Sequence, residues 1–286
     1  MLNHAFILSA HTNFEQIKLL LSTLHFGDVF IHVDKKSEEL YQKLKVEYSN
    51  AQNIYFVQNR TSVNWSGFSQ VDATLKLLKL VKSVNKKYDY IHFISGQDLL
   101  LMTEKELNDF LIRNGTDKLY LEVNSIGQYS WRLKLYYFFR ENPKNRNITY
   151  RILDNIIRLI QRPFIHRSEL KGYDLYKGSQ WFSITNDCLN YILESINETD
   201  FLNKFKFTAC PDEHFFQILL MNSKFKDKVM HSNARYIVFE DNKSSPKVLK
   251  LEDLKYFMNG QYMFARKFDL NIDEKVINNI ISKNKM

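Results

Sequence analysis

The chain has 286 residues, 44% of them hydrophobic and 14% aromatic, with only 8 Gly and 4 Pro. Those totals exclude disordered and fibrous classes and describe one large α/β domain, or two small ones, with a substantial core. Net charge is +8, which suits anionic partners, and no run approaches the roughly 18 apolar residues of a spanning helix, so any membrane contact is expected to be peripheral.

Met1 leads into an apolar strand pattern with no signal peptide, and the cysteines are Cys188 and Cys210. Together these predict reduced thiols in a cytoplasmic protein. In chain order, strands are expected at 5–9, 28–33, 54–57, 90–94 and 119–122, separated by amphipathic helices at 14–25 and 70–84. That alternation predicts a three-layer α/β sandwich with a mainly parallel central sheet flanked by helices. Ligands of such sheets bind beyond the carboxyl ends of the strands. The residues found there are Ser9-Ala10-His11, Asp34-Lys35-Lys36 and Ser95-Gly96-Gln97-Asp98.

Neither G-x-G-x-x-G nor G-x-x-x-x-G-K-[ST] occurs, which argues against a dinucleotide oxidoreductase or a P-loop kinase. Zinc-type Cys/His spacing and a D-x-D pair are also missing, so the charge of any bound diphosphate falls to Lys and Arg. Between Arg132 and Lys171 there are ten Lys/Arg against three Asp/Glu. This tract suits sugar nucleotides, acidic lipids or nucleic acid, or is an ordinary solvated face. Two helices are expected in it, around a loop at 142–147 that includes Arg146. The second helix, 150–161, places Ile152, Ile156, Leu159 and Ile160 on one face and Arg151, Arg158 and Arg162 toward others. Either an interfacial helix or an internally packed one has that pattern.

A last α/β portion runs from Gly178-Ser179-Gln180-Trp181 to Phe268-Asp269 and closes with an amphipathic helix. Within it, Cys210-Pro211-Asp212-Glu213 is expected to open the apolar helix that carries Phe215, Phe216, Leu219 and Leu220. Acids there meet the positive end of the helix dipole and are either helix caps or a rigidly held general base. With no internal repeat, the chain reads as a single domain over 1–286. It divides into a first half (1–125), a basic aromatic segment (126–175) and a last half (176–286).

Five segments resemble one family: Ile31-His32-Val33-Asp34-Lys35-Lys36-Ser37, Tyr90-Ile91-His92-Phe93-Ile94-Ser95-Gly96-Gln97-Asp98, Gly178-Ser179-Gln180-Trp181, Pro211-Asp212-Glu213, and Phe264-Ala265-Arg266-Lys267-Phe268-Asp269. In this order they resemble the core-2/I-branching β-1,6-N-acetylglucosaminyltransferases and peptide O-xylosyltransferases, glycosyltransferase family 14. The resemblance implies a GT-A type nucleotide-sugar fold, inversion at the anomeric carbon and no metal or other cofactor. By the same resemblance Glu213 is the base that deprotonates the acceptor hydroxyl. Arg235 and Lys267, with Arg266 beside them, neutralise the departing diphosphate.

Asp34 is placed by the family at the nucleotide and Asp98 near the donor sugar or ribose; for each, turn capping is the other reading. Trp181 is read as a sugar-stacking wall or as core, and Trp65 likewise. Glu122 and Arg132 fall in the region that contacts acceptor in the animal enzymes. Those enzymes are anchored in the Golgi and carry several disulfides, so this chain looks like a bacterial, cytoplasmic relative. It is expected to move a sugar, most simply N-acetylglucosamine or else xylose, from a UDP-sugar donor to a glycan or lipid-linked oligosaccharide in surface polysaccharide synthesis. The basic tract is expected to meet anionic lipid at the inner membrane face. A nucleic-acid-binding protein is the competing class and an inactive glycan-binding relative the third; no recognition motif supports nucleic acid.

Overall fold

The computed structural model describes residues 1–284 other than 146, 166, 242 and 244, so Arg146 of the expected loop lies outside the described residues. The strands are β1 (His4–Ala10), β2 (Asp28–Val33), β3 (Ile54–Phe56), β4 (Tyr90–Ser95), β5 (Asp98–Leu100), β6 (Tyr120–Leu121), β7 (Asn124–Ser125), β8 (Tyr176–Lys177), β9 (Phe182–Thr185), β10 (Arg235–Ile237) and β11 (Phe264–Arg266). The main sheet has the order β3-β2-β1-β4-β9-β6. Its first four strands are parallel, and β9 runs antiparallel to both β4 and β6.

Both faces of this sheet are covered, which is why β1, β2 and β4 read as continuous apolar runs rather than alternating ones. Side chains of β1 alternate between two cores. Ala5 and Ile7 join Val71, Leu75 and Leu78 of helix α3 and Leu189 and Ile192 of a later helix. Phe6 and Leu8 join Ile17, Leu20, Leu40, Leu44 and Ile277 on the opposite face. The helices among the described residues are α1 (Phe14–Ser22), α2 (Glu38–Glu47), α3 (Ser69–Ser83), α4 (Glu104–Asn114), α5 (Trp131–Lys134), α6 (Ile148–Gln161), α7 (Asn186–Glu198), α8 (Phe215–Met221), α9 (Leu254–Phe257) and α10 (Glu274–Asn284), and the helical core residues just named come from α1, α2, α3, α7 and α10. The three-layer reading therefore holds.

A smaller sheet, β10-β11-β5, stands beside the first. Its register sets Arg266 opposite Asp98 and Arg235 opposite Phe264. The chain visits β1, β2 and β3 toward one edge and then crosses to β4 on the other side of β1. The carboxyl ends of β1 and β4, where Ser9 pairs with Ser95, are thus the switch point of the sheet.

Two expected elements differ. The helix expected at 133–139 stops at Lys134, and Leu135 is extended (φ −124°, ψ 160°). Beyond it, Leu135 and Tyr137 are buried against Ala209 while Phe138 is exposed, an alternation of period two. The second difference lies at Pro211. Pro211–Glu213 forms its own 3-10 turn, and His214 (φ −131°, ψ −36°) separates it from α8. The two acids are therefore held by a tight turn and do not sit in the first turn of the apolar helix. Pro211 is compatible with either geometry, because its fixed φ and missing N–H suit the start of both.

Candidate active site

A cleft of about 1140 Å³ opens past the carboxyl ends of β1, β2 and β4. Of the predicted site residues, Asp34, Glu122, Trp181, Glu213, Arg235 and Arg266 line it, as does Trp65. The 3-10 turn that carries Glu213 is fixed at both ends. Cys210 and Ser66, both with positive φ (51° and 64°), face each other, and the Cys210 N–H donates to the Ser66 carbonyl at 3.0 Å. Left-handed non-glycine residues are costly and persist where surroundings over-determine them, often at functional sites. The Glu213 carbonyl accepts from the Gly178 N–H at 2.9 Å, and His214 Nδ1 bonds the Tyr176 carbonyl at 2.9 Å.

Glu213 is the reachable carboxylate of the turn, with its side chain 39% exposed, and it forms an ion pair with Arg132 Nη1. Arg132 in turn lies over the Tyr129 ring at 4.7 Å, and Lys177 Nζ lies 3.9 Å from the same ring. Asp212 is the second carboxyl of the turn. It is buried, its Oδ1 has no hydrogen-bond partner among the described residues, and burial together with the Glu213 charge pushes its pKa up. Adjacent carboxyls with divergent environments divide proton-holding from proton-accepting work. Glu122, after β6, accepts from Asn124 Nδ2 at 3.1 Å, and burial raises its pKa as well.

The raised Asp212 pKa has a sign. The folded state keeps a proton that the unfolded chain releases near the ordinary carboxyl range, so the stabilisation is complete below that range and is lost as pH rises toward the folded value. Asp212→Asn is expected to melt increasingly above the parent as pH climbs through that window. The slope is bounded at about 1.4 kcal/mol per pH unit for one proton. Thermal melts of the two proteins across pH check this; a constant difference at all pH values refutes the protonated assignment.

The cations sit on the smaller sheet. Arg266 stacks on Trp181, with its guanidinium carbon 4.1 Å from the ring centroid. Its Nε lies 3.6 Å from Asp98 Oδ1, and among the described residues its buried Nε and Nη1 make no hydrogen bond. Asp98 does not reach the cleft wall. At 1% exposure it accepts from the Ser95 N–H (3.0 Å) and Ser95 Oγ (2.6 Å), closes the β4–β5 turn and backs Arg266. Arg235 donates to the carbonyls of Phe93 (3.0 Å) and Phe182 (2.6 Å) and to Ser183 Oγ (3.2 Å). Burial draws its pKa down to about 9, still charged at neutral pH, and among the described residues its Nε has no hydrogen-bond partner. Lys267 lies at the rim, where Nζ bonds Ser245 Oγ at 2.5 Å and Ser245 lines the cleft.

Asp34 closes a turn over the cleft. Its Oδ1 accepts from the Lys36 N–H at 2.9 Å, and Lys36 Nζ lies 3.5 Å from Oδ2. Trp181 is 7% exposed and packs on Phe93 at 4.8 Å, so it is at once core and cleft wall. Among the described residues, no three His, Cys, Asp or Glu side chains cluster as metal ligands would.

The family model of the Core-2/I-branching enzyme matches residues 4–257. The chain belongs to this family. The branching-enzyme match extends to individual proteins at low identity. A xylosyltransferase, sqv-6, of Caenorhabditis briggsae is 25% identical over 300 residues, covering 93% of this chain and 34% of its own length. A bovine β-1,3-galactosyl-O-glycosyl-glycoprotein β-1,6-N-acetylglucosaminyltransferase is 24% identical over 300 residues, covering 94% and 66%. The mouse N-acetyllactosaminide β-1,6-N-acetylglucosaminyl-transferase is 23% identical over 290 residues, covering 93% and 69%. This family member thus spans 34% of the xylosyltransferase and about two thirds of the other two. Among solved structures, the apo WbbM bifunctional glycosyltransferase aligns at a TM-score of 0.47 and 12% identity, covering 99% of this chain and 52% of that one.

Two candidate-site residues of this family member were not foreseen in their roles. Asp212 stood in the motif only as a partner of Glu213, and adjacency to a second carboxylate was the available signal. Gly178 stood in the motif without a reason. A Cβ there falls 1.8 Å from the Glu122 carbonyl oxygen and 2.7 Å from its carbon, so backbone would have to move. Gly178→Ala is expected to destabilise by about 3 kcal/mol, the upper range for overpacking, and to displace Glu213 through the lost 2.9 Å bond. Urea denaturation measures the first effect and turnover the second; a variant that matches its parent in both shows that the close approach is not needed.

Proposed function

We propose that the chain is an inverting, metal-independent glycosyltransferase of GT-A type that moves a sugar from a UDP-sugar to a hydroxyl of a glycan acceptor. The observation that carries the reading is the pairing, in one cleft, of a part-exposed carboxylate on a rigid turn with a guanidinium that lines the same cleft. In the proposed reaction Glu213 takes the proton of the acceptor hydroxyl while its oxygen attacks the anomeric carbon. The bond from that carbon to the diphosphate oxygen breaks on the opposite face, and UDP leaves with its added negative charge. Arg266 and Lys267, with Arg235 beneath them, meet that charge, because fixed cations in a water-poor site need no reorganisation as it develops. Arg132 positions Glu213, and Asp98 positions Arg266.

Trp181, Glu122 and Arg132 are assigned to the sugar and acceptor side, and Asp34 to the nucleoside. The donor is UDP-N-acetylglucosamine in this reading; the xylosyltransferase relative favours UDP-xylose as the second candidate. The inferred setting is the cytoplasm, on a lipid-linked acceptor of surface polysaccharide synthesis, and it accords with Cys188 and Cys210 both being free and buried. Release of UDP from a panel of UDP-sugars by the purified chain in EDTA tests the whole reading. Release from one donor is expected; neither release nor UDP binding by calorimetry would overturn it.

A further inference from the structure

Helix α6 is mounted inside out. A helix on a protein surface normally turns its apolar stripe inward, yet here Ile148 (67% exposed), Ile152, Ile156, Leu159 and Ile160 all face outward, and Phe164 just past the helix is 83% exposed. The polar side faces the body and is bound to it. Asp154 pairs with Arg140 at 3.0 Å, and Gln161 bonds both the N–H (2.8 Å) and the carbonyl (2.9 Å) of Tyr136. Arg158 lies 5.3 Å from the Trp131 ring. These directional contacts fix the orientation, so the outward apolar stripe is a property of the fold.

The charge around the stripe is positive. Arg151 and Arg162 on α6 are exposed, as are Lys134, Lys144 and Lys171 in the flanking segments. All three acids of the tract are occupied within the protein. Asp154 is paired as above, Glu169 meets Arg167 and the Tyr136 hydroxyl, and Glu141 accepts from the Ser69 N–H at 2.8 Å. An apolar stripe bordered by uncompensated cations is complementary to acyl chains beneath anionic headgroups.

We propose that the outer face of α6 docks the protein on an anionic phospholipid bilayer. The position of the helix serves the reading of the cleft. Asn145, three residues before α6 in sequence, lines the cleft and donates to the Trp65 carbonyl at 2.8 Å, so the cleft wall lies close in sequence to the docked helix. A lipid-linked acceptor would then reach Glu213 from the same surface. The docking itself stands without the transferase reading.

Sedimentation of the full chain with phosphatidylcholine vesicles, with and without phosphatidylglycerol, tests it. Binding is expected to need the anionic lipid and to weaken with salt. Ile156→Glu/Ile160→Glu, at exposed positions that leave the melting temperature unchanged, is expected to lower binding more than tenfold. Arg151→Ser/Arg162→Ser is expected to lose about fivefold per charge. The proposal fails if the parent does not sediment with anionic vesicles or if the Ile double variant sediments equally well. It also fails if the parent is a dimer that the Ile variant splits, without vesicle binding, since a second copy then covers the face.

Discussion

Glu213→Gln lowers sugar transfer by about three orders of magnitude while UDP affinity stays within about threefold of the parent. The amide keeps the shape of the side chain and can still reach Arg132, whose guanidinium pairs with the carboxylate, but it cannot accept the acceptor proton. In the proposed reaction Glu213 acts on the acceptor hydroxyl, whereas Arg266, stacked on Trp181, meets the diphosphate. Initial rates with the preferred donor, alongside calorimetric titration with UDP, separate the two effects. Near-parental transfer by the variant would remove Glu213 from the role of base and leave Asp212 and Glu122 as the carboxyls to examine.

Arg266→Ala shows the opposite division, with UDP binding weakened about tenfold to a hundredfold and turnover reduced at least as much. A charge-assisted hydrogen bond contributes about 1.5–3 kcal/mol, and Arg266 lines the cleft with its side chain largely withdrawn from water, where such bonds are strongest. Part of the loss is mechanical. Without the guanidinium, Trp181 loses the partner stacked at 4.1 Å, and Asp98 is left buried without its nearest cation. Arg266→Lys keeps the charge but not the planar stack, and is expected to recover less than half of the lost affinity on a logarithmic scale. Unchanged UDP affinity in Arg266→Ala would place the diphosphate elsewhere, with Lys267 at the rim as the next residue to test.

The central sheet was legible because strands buried on both faces leave a plain mark. Residues 28–33 are apolar nearly without interruption, and β2 occupies that span. Site placement was legible where a polar residue follows such a strand, as Asp34 does. Asp98 shows the limit of that signal. It also follows a strand, yet it folds back on Ser95 to cap its own turn, and only the pairing of β5 with β11, from the far end of the chain, aims it at Arg266.

The aromatic run 135–139 was misread because helix and strand patterns coincide over so few residues, and the alternate burial of Leu135 and Tyr137 depends on Ala209, distant in sequence. Residues 150–161 were legible as an amphipathic helix. Periodicity names the residues that share a face, and it was the pairing of Asp154 with Arg140 that decided which face meets the body.

The register between Phe264–Arg266 and Asp98–Leu100 also sets an order of assembly. As the chain leaves the ribosome, Asp34 and Asp98 emerge first, Glu213 later and Arg266 after it. Strand β5 must wait, with its hydrogen-bonding edge open, until β11 is synthesised, and pairings of such long sequence separation are slow to form. A nascent chain halted between Glu213 and β11 therefore holds the proposed base without Arg266, and an edge that invites other strands. In the proposed reading, the diphosphate site forms only once β11 has paired with β5.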